Sequence, residues 1–154
     1  MMAVADAGPL HYLILIGVVD VLEPLYSRIL LPRAVLNELL AAHAPHFVRD
    51  WIAHHPAWCE IRPDPPVDPT LGFLDAGEHA AIALTLSVRA DYLLIDERAG
   101  RAEAERRHLQ ITGTVGVSAE AHCAGLLDFE MAVCRLRDTN FYISESALLM
   151  CVNG

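Results

Sequence analysis

The sequence predicts an α/β fold on a parallel sheet, and three observations carry that expectation. Short apolar runs alternate along the chain with segments of helical length, the order that βα units produce. Helices of that length connecting the runs imply a sheet covered on both faces. No internal repeat and no long linker interrupts the series.

In chain order, Met2–Ala5 reads as a short buried strand. Gly8-Pro9 opens a helix through Leu10–Ile16, with Pro in the first turn, where its missing N–H costs little. Asp20 caps a second helix running to about Leu25. Ile29–Leu31 is the next strand, and Pro32 starts the helix Arg33–Ala42. Phe47–His54 continues helical, and Trp58–Ile61 is a strand. Four prolines between Arg62 and Pro69 forbid helix or central strand, so this segment is a surface crossing. Ala76–Val88 is helical and apolar nearly all round, hence buried. Tyr92–Ile95 is a strand, Ala99–His108 a polar helix, Gln110–Thr112 a short strand and Val117–Ala124 a helix. Phe129–Arg137 and Ser144–Val152 close the chain as two helices.

With 154 residues, 1–154 is expected to form one domain with an ordinary core. Hydrophobic residues at 54% against 20% charged exclude disorder. The apolar stretches are broken well before the ~18 to 20 residues of a membrane span, and the N-terminus lacks the basic segment and long apolar core of a secretory signal. No membrane partner is expected, and a cytoplasmic location is. Cys59, Cys123, Cys134 and Cys151 are too scattered for a disulfide framework or zinc ribbon and read as reduced thiols in or near the core.

The net charge is −9, and all 11 basic residues are Arg. Without lysine, the Walker A phosphate grip and Schiff-base catalysis are excluded. An acidic chain is also a poor non-specific binder of nucleic acid. Any role with nucleic acid must use a local Arg patch, a metal, or both.

The chemistry-bearing residues are acidic. Asp6 and Asp96 each follow a predicted strand, and ligands of open α/β sheets bind beyond the carboxyl ends of strands, where the topology reverses. Either Asp alone reads as well as a turn former or cap. Glu78 changes the balance: it lies in the first turn of a helix with little polar surface, where the dipole favours an acid. Asp75, three residues earlier, reads as that helix's N-cap. Three carboxylates converging at ~5 Å in an effective dielectric of ~20 would repel by roughly 3 kcal/mol per pair. A bound cation relieves this, and oxygen-only ligands suit Mg²⁺ or Mn²⁺. The corresponding chemistry is metal-assisted phosphodiester hydrolysis.

Five segments, in this order and spacing, resemble the PIN-domain ribonucleases, and more narrowly the VapC-like toxin subgroup. They are Val4–Leu10, Leu31–Leu39, Leu74–Glu78, Leu94–Arg101 and Thr112–Val117. The resemblance implies a three-layer α/β/α fold with a central, mainly parallel sheet. It implies cleavage of RNA phosphodiester bonds with Mg²⁺ or Mn²⁺ as cofactor, an RNA substrate, an antitoxin protein as partner, and a homodimer. By the same analogy the catalytic acids are Asp6, Glu38, Glu78 and Asp96, with Asp6, Glu78, Asp96 and Glu97 as metal ligands. Either Asp96 or Glu97 is the fourth acid. Thr112 and Thr114 match the small hydroxyl motif beside the site. Glu38 enters on the match, since by periodicity it is equally a solvated helix charge.

Arg98 and Arg101, three apart on one helix face after Asp96, are candidates for substrate binding through phosphate. Pairing with Glu97, Glu103 and Glu105 explains them equally well. His43, His46, His54, His55 and Cys59 have no zinc spacing and are interrupted by Pro45 and Pro56; His79 reads as a packing residue. Gly113-Thr114-Val115-Gly116 lacks the dinucleotide-binding spacing, no Gly-x-Ser-x-Gly elbow is present, and a phosphoacceptor domain would need a lysine. The competing reading is a catalytically inactive PIN module that binds protein or RNA.

Overall fold

The computed structural model describes residues 1–143, so the helix expected at Ser144–Val152 and Cys151 lie outside the described residues. Five parallel strands form one sheet: β1 (Met2–Ala5), β2 (Arg28–Pro32), β3 (Cys59–Arg62), β4 (Tyr92–Leu94) and β5 (Ile111–Thr112). Their spatial order is β3-β2-β1-β4-β5, so the direction of strand addition reverses between β1 and β4.

Alternation along each strand sends side chains to two separate cores. Ala3, Ala5, Ile29, Leu31 and Leu94 pack into one. Val4, Leu30, Leu93 and Ile95 pack into the other. Helices α1 (Ala7–Leu15), α2 (Leu22–Tyr26), α3 (Arg33–Leu40), α4 (His46–Ala53), α7 (Thr114–Cys123) and α8 (Phe129–Arg137) contribute to the first core. Helices α5 (Ala76–Val88) and α6 (Arg98–Arg106) cover the second face. This is the three-layer α/β/α arrangement expected, and it explains why the central strands β1 and β4 are apolar throughout. No described helix is long and apolar enough to cross a membrane.

Local differences have local causes. Asp20 caps no helix: Val19–Val21 forms a 3-10 turn, and α2 begins after Val21. α3 ends at Leu40 rather than Ala42 because Ala41 turns extended, at φ −59°, ψ 148°. α7 starts three residues before the expected Val117 and runs through Gly116, where the Thr112 hydroxyl leaves no space for a β-carbon. Of the three described cysteines only Cys59 is buried; Cys123 and Cys134 are exposed, contrary to the core reading.

The proline crossing is pinned to α6 and α5. Arg107 donates from Nε to Glu103 at 3.0 Å and from Nη2 to the Thr70 hydroxyl at 2.7 Å. The Asp68 N–H donates to His79 Nε2 at 3.0 Å, giving His79 a structural partner beyond packing.

Candidate functional site

Asp6 and Asp96 leave adjacent strands at the reversal point, where open α/β sheets place their ligands. The Asp6 N–H donates to the Leu94 carbonyl at 2.9 Å, which ties the first acid to the end of the neighbouring strand. Only 4% of Asp6 is exposed. Burial pushes its carboxyl up to about 7, reinforced by the charges of Glu38, Asp75 and Asp96 and opposed by the Ala7 backbone N–H.

Asp96 is held by one residue at both oxygens. Thr114 donates its N–H to Oδ1 at 2.8 Å and its hydroxyl to Oδ2 at 2.6 Å. Burial raises this carboxyl; the Thr114 bonds and the Arg101 guanidinium oppose the rise, and Glu97 adds to it. A β-carbon on Gly113 would stand 2.5 Å from Asp96 Oδ1 and 3.0 Å from Arg101 Nη1. Glycine is therefore the residue that lets α7 close onto the acid.

Glu78 is 7% exposed in the first turn of α5. Asp75 caps that helix by accepting the Glu78 N–H at 2.8 Å, as its position predicts. Burial pushes the Glu78 carboxyl up to about 8, helped by a side-chain hydrogen bond with Asp75 and the charges of Asp75, Asp6 and Glu97. Glu38 is exposed on α3, yet it abuts Gly77 so closely that a β-carbon there would overlap its carboxylate. Partial burial and Asp75 raise its carboxyl, and the Gly77 backbone hydrogen bond lowers it.

A PIN-domain family model, DUF3368, matches residues 2–151. The chain belongs to the PIN-domain family. PIN domains are commonly nucleases and generally use divalent metal ions. No curated protein matches the chain.

In this PIN domain the acids gather at one end of the sheet. Among the described residues no three His, Cys, Asp or Glu side chains stand close enough to hold one as they are. The donor set nonetheless fits a hard divalent cation: carboxylate oxygens, with neither thiolate nor imidazole among them. Asp6 and Glu78 retain protons near neutrality that such a cation would displace. Four helices, α1, α5, α6 and α7, begin at this end, with N-caps Asp6, Asp75, Glu97 and Gly113. Helix N-termini carry partial positive charge, which favours acids at this end.

Arg101 donates from Nη1 to the Ile95 carbonyl at 2.8 Å, beside Asp96. Arg98 is exposed and has no ion pair among the described residues. The alternative of pairing with α6 acids is not realised, because Glu103 is taken by Arg106 and Arg107, each at 3.0 Å. The Thr114 hydroxyl is committed to Asp96, and the buried Thr112 hydroxyl stands against Gly116. Glu97 is exposed and caps α6 by position only, with no side-chain bond to the helix. Sequence reasoning stopped at Asp75's capping role and missed its place among the acids. The signal was the spacing Asp-x-x-Glu, which puts cap and carboxyl on one turn.

Proposed function

We propose that this PIN domain is a Mg²⁺- or Mn²⁺-dependent endoribonuclease, the toxin of a toxin–antitoxin pair. The observation that carries the reading is the placement of Asp6 and Glu78. Both are more than nine-tenths buried at the sheet's reversal point, with carboxyls raised to about 7 and 8. Acids so placed are stabilised by a divalent cation among them.

In this reading Asp6, Glu78 and Asp96 hold the ion, with Glu97 the alternative fourth ligand. Bound there, a divalent ion would lower the pKa of the attacking water and neutralise charge building on the phosphate. Thr114 fixes the Asp96 carboxylate by its two hydrogen bonds, so this ligand needs no reordering. Glu38 is the most solvent-open of the four acids and the proton acceptor for attacking water. Arg98 and Arg101 orient the phosphate, with Thr112 and Thr114 as the hydroxyl-bearing substrate-binding pair beside it. An antitoxin protein and a second copy of the chain are the expected partners, in the cytoplasm.

The net charge of −9 favours one competing reading, a PIN module that binds protein or RNA without cutting it. Incubating an RNA panel with Mn²⁺ separates the two. Wild-type protein should cut, and Asp96→Asn should lower kcat/KM by about 10³-fold, the scale of several kcal/mol of lost transition-state stabilisation. Cleavage surviving Asp96→Asn and Asp6→Asn contradicts the assignment. Mn²⁺ binding without any cleavage favours the binding module.

A further inference from the structure

The acidic centre accounts for chemistry at a phosphate but leaves open what grips the rest of the strand. On α1, Pro9, Leu10, Leu13 and Ile14 are buried, whereas Gly8, His11, Tyr12 and Leu15 are half-buried along one face. That face begins at the acids: a β-carbon on Gly8 would stand 3.3 Å from Asp96 Oδ2. Tyr12 lies one helical turn further on, directly above Gly8. Burial raises its phenol, and the charges of Asp96 and Glu97 add to the rise.

The ring is also held in place. His11 packs against it edge to face at 4.7 Å between centroids, and Phe141 does so at 4.8 Å. The Tyr12 hydroxyl donates to Asn140 Oδ1 at 2.8 Å. Beside Phe141, Tyr142 is 85% exposed. Two residues beyond Asp96, Arg98 is exposed with no ion pair among the described residues, at the start of a helix whose N-cap makes no side-chain bond.

We propose that Tyr12, with the rings of His11 and Phe141 locked around it, is a stacking platform for a nucleobase of single-stranded RNA whose phosphate runs toward Arg98. This rests on the RNA-cleavage reading and adds a base-binding subsite to it. With no lysine and a net charge of −9, the chain cannot draw its affinity mainly from phosphate neutralisation. Stacking on a pre-fixed aromatic ring needs no positive charge and tolerates any base. A duplex fits poorly, because paired bases keep their faces inside the helix.

The test uses an RNA strand carrying 2-aminopurine, with Asp6→Asn protein so that the strand is not cut. Binding should quench the probe, and an RNA duplex of the same sequence should bind more weakly. Tyr12→Leu should raise Kd about five-fold or more, the lower end for loss of one stacked base, while Tyr12→Phe stays within about two-fold. Photo-crosslinking with a 5-iodouridine strand, which needs no change at Tyr12, should attach to Tyr12 or its two ring neighbours. An unchanged Kd for folded Tyr12→Leu, equal losses for the Phe and Leu variants, crosslinks confined to other regions, or no strand binding at all would each overturn the platform. If binding and crosslinking behave as stated but wild-type protein cuts no RNA with Mn²⁺, the platform stands and the nuclease reading fails.

Discussion

Asp6→Asn should make the metal-free protein more heat-stable than wild type while removing its RNA-cleaving activity. The native carboxyl titrates at about 7 from an ordinary 3.8, because burial and three neighbouring acids disfavour its charge. At ~1.4 kcal/mol per pKa unit this corresponds to roughly 4 kcal/mol against the ionised native state above neutrality. Asn is nearly isosteric and cannot ionise, so it escapes the penalty but still has a buried amide to satisfy. A net gain of about half that ceiling would raise Tm by about 4–8 °C for a domain of this size. A melting curve at mildly alkaline pH with a chelator present measures it. A lowered Tm would mean that Asp6 is not held against its neighbours' charge.

The second large effect is a pH dependence opposite to that of most salt-bridged proteins. Asp6 and Glu78 have raised carboxyls, at about 7 and 8, so between pH ~4 and ~8 the folded state holds protons that the unfolded chain has released. Stability of the metal-free protein is therefore highest below the unfolded values. It falls as pH rises through the folded ones, and the full penalty remains above about pH 8. Mn²⁺ displaces those protons, so its stabilisation should grow over the same window. Tm with chelator should be several degrees lower at pH ~8.5 than at pH ~5.5, the rise on adding Mn²⁺ should be larger at pH ~8.5, and Asp6→Asn should flatten both trends. A metal-free Tm that does not fall over this range, or a larger Mn²⁺ effect in acid, contradicts the picture.

What could be read from the chain alone was what depends on near neighbours. Apolar runs placed the five strands within about a residue of their ends. Asp6 and Asp96 followed because a strand's carboxyl end is visible locally, and Glu78 because a charge in an apolar first turn is anomalous. Failures came where a specific contact or a competing turn overrides the expected preference. Gly116 looks like a helix boundary until the Thr112 hydroxyl is seen against it. Asp20 has the chemistry of a cap, but the chain is already committed to a 3-10 turn there. Arg101 and Arg98 look like partners for α6 acids, yet Glu103 serves Arg106 and Arg107. Glu38 against Gly77, and Tyr12 against Asn140 and Phe141, join segments so far apart that no periodicity connects them.

The central claim, that these acids form one divalent-cation site, is tested most directly by calorimetric titration of the metal-free protein with Mn²⁺ near pH 8. Wild type should bind with proton release, and Asp6→Asn and Glu78→Gln should each abolish or greatly weaken the binding while remaining folded. An absence of binding heat in wild type across several buffers, or binding unaffected by either substitution, would contradict it.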